Sequence, residues 1–219
     1  MILRESSCRL SFSNCGEGRV NSEQFNQWCL SFNSMAPSSN YPHKPLIMGI
    51  LNATPDSFSD GGCFLEPDAA CDHALQMMER GADIIDIGGE STKPGAEDVS
   101  ATEEIERIIP IIERIRAVSD ICISIDTSKA DVMKAAVAAG ASFINDVKAL
   151  TAQGALDIAA RLNVPVCLMH MQGVPKSMQE QPHYVDVVDE INLFFQQRIE
   201  VCLAAGISRD YLIIDPGFG

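Results

Sequence analysis

Six short apolar runs, each emptying into a cluster of polar residues, constrain the fold of this chain more than any other feature. They cover residues 46–51, 84–87, 121–125, 142–145, 165–169 and 211–214. Such short runs suit strands buried on both faces. Between them the apolar spacing becomes helical. Pro67 suits a first helical position, Cys71, Ala74, Leu75 and Met78 fall at i, i+3, i+4 and i+7, and Gly81 supplies a stop. Ser100 and Glu103 form a capping box ahead of a face made by Ile105, Ile108, Ile109 and Ile112. An alanine-rich helix spans 129–139 and ends at Gly140. A brief one covers 155–162, and a long one runs over 185–205 before Gly206.

Strands that alternate with helices build right-handed parallel βαβ units. Two architectures accept them, a doubly wound sheet and a TIM-type (β/α)8 barrel. No run leads into a glycine-rich dinucleotide fingerprint. Polar residues stand instead at the end of every run, which is how barrel enzymes distribute their sites. The expected fold is therefore an α/β barrel, incomplete here because only six strands are visible. Residues 46–219 form that partial barrel. Residues 1–45, rich in Ser, Asn and Gln, read as an N-terminal extension. Within it a hairpin is expected (8–12, a turn at 16–18, then 19–20), followed by a linker over 37–45.

Charge and cysteine usage exclude several classes of function. A net charge of −14 argues against nucleic acid and anionic membranes as partners. No apolar run approaches the ~18 residues of a membrane span. Arg4, Glu5 and Arg9 break any signal-peptide core. The eight cysteines are scattered without paired metal spacing, which suits a reducing, cytoplasmic setting rather than a disulfide scaffold.

The strand ends carry the chemistry. Asn52 follows the first run, Asp86 and the segment 88–95 the second, and Asp126, Thr127 and Ser128 the third. Asn145 and Asp146 follow the fourth, His170 the fifth and Asp215 the sixth. Parallel strands bring such groups to one rim, where carboxylates need partners with several donors. A single Asp at a strand end is equally a helix cap, and Asp126 invites that reading. His170 reads best as a histidine held by backbone partners, because no second metal-type ligand stands at a suitable spacing.

Six segments, MGILNATPDSFSDGG, DIGGESTKPGA, ISIDTSK, INDV, CLMHMQGVPKSMQ and LIIDPGFG, occur in this order from Leu46 to Gly219. In them the chain resembles the dihydropteroate synthases of folate biosynthesis, a family of barrel enzymes. The resemblance implies condensation of 6-hydroxymethyl-7,8-dihydropterin diphosphate with p-aminobenzoate by a dissociative displacement that needs no side-chain nucleophile. It makes Asp126, Asn145, Asp215 and Met169 pterin-binding positions and Asn52 the ligand of Mg2+. Carboxylates accept the paired N–H donors of an aminopyrimidine edge, and an amide oxygen suits a hard cation. Thr54, Asp56, Ser57 and Phe58 in one loop, and Ser91, Thr92, Lys93 and Pro94 in the next, match the loops that take p-aminobenzoate and diphosphate. Lys93 stands where relatives often carry Arg, keeping the charge without the bidentate fork.

The resemblance also implies homodimers, sulfonamides as inhibitors, and two further βα units carrying a Lys, an Arg and a His that meet pterin and diphosphate. Since the sequence ends at Gly219, the 219-residue chain alone is expected to be weak or inactive. Two alternatives stand beside this reading. One is a related pterin-handling methyltransferase barrel, the other a non-catalytic pterin-binding or interaction fragment.

Overall fold

The computed structural model describes residues 20–33, 45–54, 67–91, 98–172 and 183–218. Six strands form one sheet: β1 (Met48–Asn52), β2 (Ile84–Gly88), β3 (Cys122–Asp126), β4 (Phe143–Asp146), β5 (Val166–Met169) and β6 (Leu212–Asp215). Every neighbouring pair is parallel, and the spatial order follows the chain order from β1 to β6. A doubly wound sheet reverses its strand order at a switch point. This sheet never reverses, as a barrel progression requires, and the doubly wound alternative is eliminated.

Helices α2 (Pro67–Glu79), α3 (Ala101–Arg116), α4 (Ala130–Ala139), α5 (Ala155–Leu162) and α6 (Val187–Ala204) connect the strands. Their ends follow local chemistry. Gly81, Gly140 and Gly206, just past the ends of α2, α4 and α6, all have positive φ, the left-handed conformation that closes a helix at little cost to glycine. Ser100 caps α3 by accepting from the Glu103 N–H, while the Glu103 carboxylate pairs with Arg107. The buried face of α3 differs from the expected one. It is formed by Glu104, Ile108, Ile111, Ile112 and Ile115, and Ile105 and Ile109 are only partly buried against the core. The four isoleucines fitted a helical stripe, but the helix turns its Ile111–Ile115 side to the sheet.

Side chains on the strands divide into two cores. Leu51, Ile85, Ile87, Ile123, Ile125, Ile144 and Leu168 pack outward against the helices. Met48, Ile84, Cys122, Phe143 and Cys167 point the other way, into the barrel. Strand alternation carries that inner face to Asn52, Asp86, Gly88, Ser124, Asp126, Asn145, Met169 and Asp215.

One element has no counterpart in the sequence reading. Within the segment taken as a loose extension, Ser22–Asn33 forms helix α1. Asn21 and Gln24 cap it reciprocally, each backbone N–H donating to the other's side-chain oxygen at 2.9 Å. Fully buried Phe25 and nearly buried Cys29 join the inner core, with the Phe25 ring 4.9 Å from that of Phe143. Val20 accepts the Cys122 N–H, so α1 closes the barrel at the strands' N-terminal ends. The spacing of Phe25, Trp28 and Cys29 behind an Asn21–Gln24 capping box was its sequence signature. The expected hairpin lies outside the described residues except for Val20.

Candidate active site

The strand register places Asn52 opposite Gly88, Gly88 opposite Asp126, and Asp126 opposite Asn145. Four consecutive strands thus deliver one row of residues to the inner face at their carboxyl ends. Gly88 leaves this row open. A Cβ there would lie 3.6 Å from Asp126 Oδ2 and 4.0 Å from Asn52 Oδ1, so these two oxygens flank the space above the glycine. Met169 and Asp215 pair with each other on β5 and β6, farther along the chain direction, as strand stagger in a barrel requires. Asp126, Asn145, Met169 and Asp215 are half-buried, and Asn52 is exposed.

Asp215 is held by backbone contacts. Its Oδ1 accepts the Gly217 N–H at 2.8 Å, and its carbonyl accepts the His170 N–H at 2.8 Å. Gly217 has φ +74, and a Cβ there would stand 2.3 Å from the His170 carbonyl oxygen. Only glycine fits. His170 belongs to this scaffold. Burial lowers its pKa against a hydrogen bond to the Pro216 carbonyl, which raises it, and its ring meets that of Phe194 edge-on at 5.0 Å. The sequence reading of His170 as a backbone-held residue agrees with this geometry.

Asp146 stands apart. Its Oδ1 accepts from the Ser128 hydroxyl and, at 2.8 Å, from the Lys148 N–H; its Oδ2 accepts the Leu150 N–H at 2.8 Å. Burial pushes its carboxyl pKa up, and those same three bonds pull it down. Although it follows Asn145 directly, alternation turns it to the opposite face, where it pins the turn after β4. That turn holds Ala149 and Leu150 at positive φ, their carbonyls bound by Arg198.

The second loop is anchored at its base. Glu90 accepts the Val99 N–H at 2.9 Å and the Lys129 ammonium at 2.8 Å, and Lys129 also bonds Glu104. Thr54 and Ser91 are described and half-buried at the starts of the two loops. Asp56, Ser57, Phe58, Thr92, Lys93 and Pro94 lie outside the described residues.

Sequence reasoning passed over Ser124 and placed Gly88 and Asp86 at the strand end without a specific role. Ser124 is fully buried and stands opposite Asp86, whose Oδ2 accepts from Asn145 Nδ2 at 3.1 Å. Their signal was parity: a polar or absent side chain two residues from a rim residue, inside an apolar strand.

The donor set at Asn52 is one of oxygens. Among the described residues no three His, Cys, Asp or Glu side chains gather as a metal cage. Mg2+ does not need one, because it keeps several waters and takes one or two protein oxygens together with substrate phosphates. Asn52, exposed at the rim and near Asp126, fits that mode.

The profile described as pterin binding enzyme matches residues 48–219. The chain is 51% identical over 180 residues to dihydropteroate synthase of Escherichia coli, an alignment covering 82% of this chain and 63% of that protein. A Yersinia pestis dihydropteroate synthase, solved in a complex with a sulfonamide drug, superposes with a TM-score of 0.76 at 54% identity, covering 80% of this chain and 64% of that one. The Xanthomonas albilineans enzyme with 4-aminobenzoic acid gives 0.74 at 54% identity, covering 80% and 62%. The chain thus spans less than two thirds of the length of these relatives.

Proposed function

The chain belongs to the pterin binding enzymes, and from that premise we propose that it carries the pterin-binding part of a dihydropteroate synthase. The observation that carries this reading is the inner row of Asn52, Gly88, Asp126 and Asn145, with Met169 and Asp215 beyond it. Asp126 and Asp215 supply acceptors for the ring's N–H donors, Asn145 both a donor and an acceptor, and Met169 a polarizable apolar surface for the flat ring. Solved relatives of Xanthomonas albilineans hold 4-aminobenzoic acid and 7,8-dihydropteroate, which supports p-aminobenzoate as the second substrate.

The reaction joins 6-hydroxymethyl-7,8-dihydropterin diphosphate to that amine. The bond between the exocyclic methylene and the diphosphate oxygen breaks, and the electron pair leaves with diphosphate. The developing pterin cation faces the carboxylates of Asp126 and Asp215, whose negative charge favours it. The amine nitrogen then bonds to the methylene and sheds one proton. Asn52 would hold Mg2+ with the diphosphate, and the ion would supply charge neutralisation to the leaving group. The loops after β1 and β2, starting at Thr54 and Ser91, would bring in Asp56, Ser57, Phe58, Thr92, Lys93 and Pro94. The eight cysteines, scattered without paired spacing, support a reducing, cytoplasmic setting.

The test is calorimetric binding of the pterin diphosphate to the full-length protein, followed by conversion with p-aminobenzoate to dihydropteroate. Asp126→Ala and Asp215→Ala should each weaken pterin binding by about tenfold or more. Unchanged affinity in both variants would overturn the reading. The methyltransferase alternative predicts turnover independent of p-aminobenzoate, and the relatives named above give it no support.

A further inference from the structure

Asp86 is 2% exposed, deep in the barrel. Strand register sets it opposite Ser124 on β3, and Ser124 opposite Phe143 on β4, two residues before Asn145. Asp86 therefore lies one inner-face layer below the rim. Its Oδ2 accepts from Asn145 Nδ2 at 3.1 Å, a bond that reaches from β2 to β4 across β3. The residue crossed is Ser124, small enough to leave the path open. Its buried hydroxyl makes no hydrogen bond among the described residues and does not compete for the amide.

A side-chain amide has two non-equivalent ends, one with two donors and one with two acceptor lone pairs, and a half-turn about its last bond exchanges them. A carboxylate only accepts. With Asp86 beneath it, the Asn145 amide is held with its nitrogen downward, and its carbonyl oxygen is kept off the Asp86 side. We propose that Asp86 is a positioning residue that sets this flip, so that Asn145 presents an acceptor to the ligand and selects ring edges bearing an N–H donor. This rests on the reading of Asn145 as a pterin-binding residue. Asp86 itself acts through Asn145 and touches no reacting atom.

The selection is measured as a ratio. Binding of 6-hydroxymethylpterin is compared by calorimetry with that of its lumazine counterpart, in which a carbonyl acceptor replaces the exocyclic amino donor. Wild-type full-length protein should favour the pterin. Asp86→Asn is nearly isosteric, but its introduced amide both donates and accepts, so the Asn145 flip is no longer set. The pterin-to-lumazine affinity ratio should then fall about tenfold, the factor that corresponds to ~1.4 kcal/mol. A merely structural role would weaken both ligands equally and leave the ratio unchanged, which overturns the proposal. Should Asp86→Asn not fold, Asp86→Ser is read in the same way, since a hydroxyl also donates and accepts. Asn145→Ala separates the two levels of inference. If it leaves pterin affinity intact, the reading of Asn145 is wrong and the proposal falls with it. If it weakens pterin binding while neither Asp86 variant moves the ratio, only the positioning role is refuted.

Discussion

Removing the Lys129 ammonium should destabilise this protein more than any ordinary surface substitution. Lys129 stands at the start of α4 and bonds Glu104 Oε2 on α3 at 2.5 Å and Glu90 Oε2 after β2 at 2.8 Å. The Glu104 side chain is 1% exposed, and its other oxygen makes no hydrogen bond among the described residues. Lys129→Met keeps the aliphatic stem but leaves a carboxylate buried without its counter-charge. Breaking a buried pair costs ~3–5 kcal/mol. Because Lys129 itself is 28% exposed, water can partly replace it, and the low end, about 3 kcal/mol, is expected. With a urea m-value of about 3 kcal/mol/M the unfolding midpoint should drop by about 1 M. The cost is that of a stranded charge, so Lys129→Met with Glu104→Gln should recover most of it. In the wild type, burial lowers the Lys129 pKa but hydrogen bonds to Glu104 and Glu90 raise it further, for a net rise. That contribution is fully present below the unfolded value near 10.5 and is lost as pH climbs through the folded one. A cost below about 1 kcal/mol for Lys129→Met, or a double variant no more stable than the single one, would refute the reasoning.

Other positions give separate checks. Gly217→Ala forces a Cβ to within 2.3 Å of a backbone oxygen at φ +74; it should cost about 1–3 kcal/mol in stability and weaken pterin binding by displacing Asp215. Phe25→Ala should cost about 3–5 kcal/mol by opening the barrel floor; a chemical-denaturation midpoint equal to that of wild type would show that α1 is not part of the cooperative core. His170 has a pKa lowered by burial, so its neutral form is favoured by folding. Stability should be full above pH 6.5 and decline as pH falls through the folded value, and melting temperatures of His170→Phe should show a flatter slope across that range. Burial pushes the thiols of Cys29 and Cys122 up to about 12; peptide-resolved alkylation at neutral pH should leave both unmodified in the native protein and label both in denaturant.

Much of the fold was legible along the chain because its signals are local. The helix over Ala155–Leu162 has the bounds expected from the sequence, and Gly81, Gly140 and Gly206 stop their helices as glycine should. Strand runs were displaced by a residue or two, with Asn52, Gly88 and Asp215 drawn into strand ends because ladder pairing, not hydropathy, decides where a strand stops. The face of α3 was read in part: Ile108 and Ile112 are buried as expected, but Ile105 and Ile109, only partly buried, satisfy a helical period as well as Ile111 and Ile115 do. Only packing against the sheet selects between the two stripes. Helix α1 was missed because twelve residues with a few apolar positions give a weak period, and its stability comes from the barrel floor it covers.

For the site, residue types and their order along the chain were enough to indicate a rim with Asn52, Asp126, Asn145 and Asp215 upon it, because strand ends in a parallel α/β chain all face one way. Residue type alone could not separate Asn145 from Asp146, which are adjacent and equally polar, and only the family resemblance singled out Asn145. Alternation about β4 sends one into the barrel and the other into a turn. Nor could it show that Asp86 reaches Asn145 from 59 positions away, that Glu90 and Glu104 share Lys129, or that His170 leaves room for nothing larger than glycine at Gly217. Those contacts join strands and helices distant in the chain, and their existence depends on register, stagger and the space left by Ser124 and Gly88. Local chemistry determined which groups meet at the rim. Tertiary geometry decided which of them face a ligand and which hold the others in place.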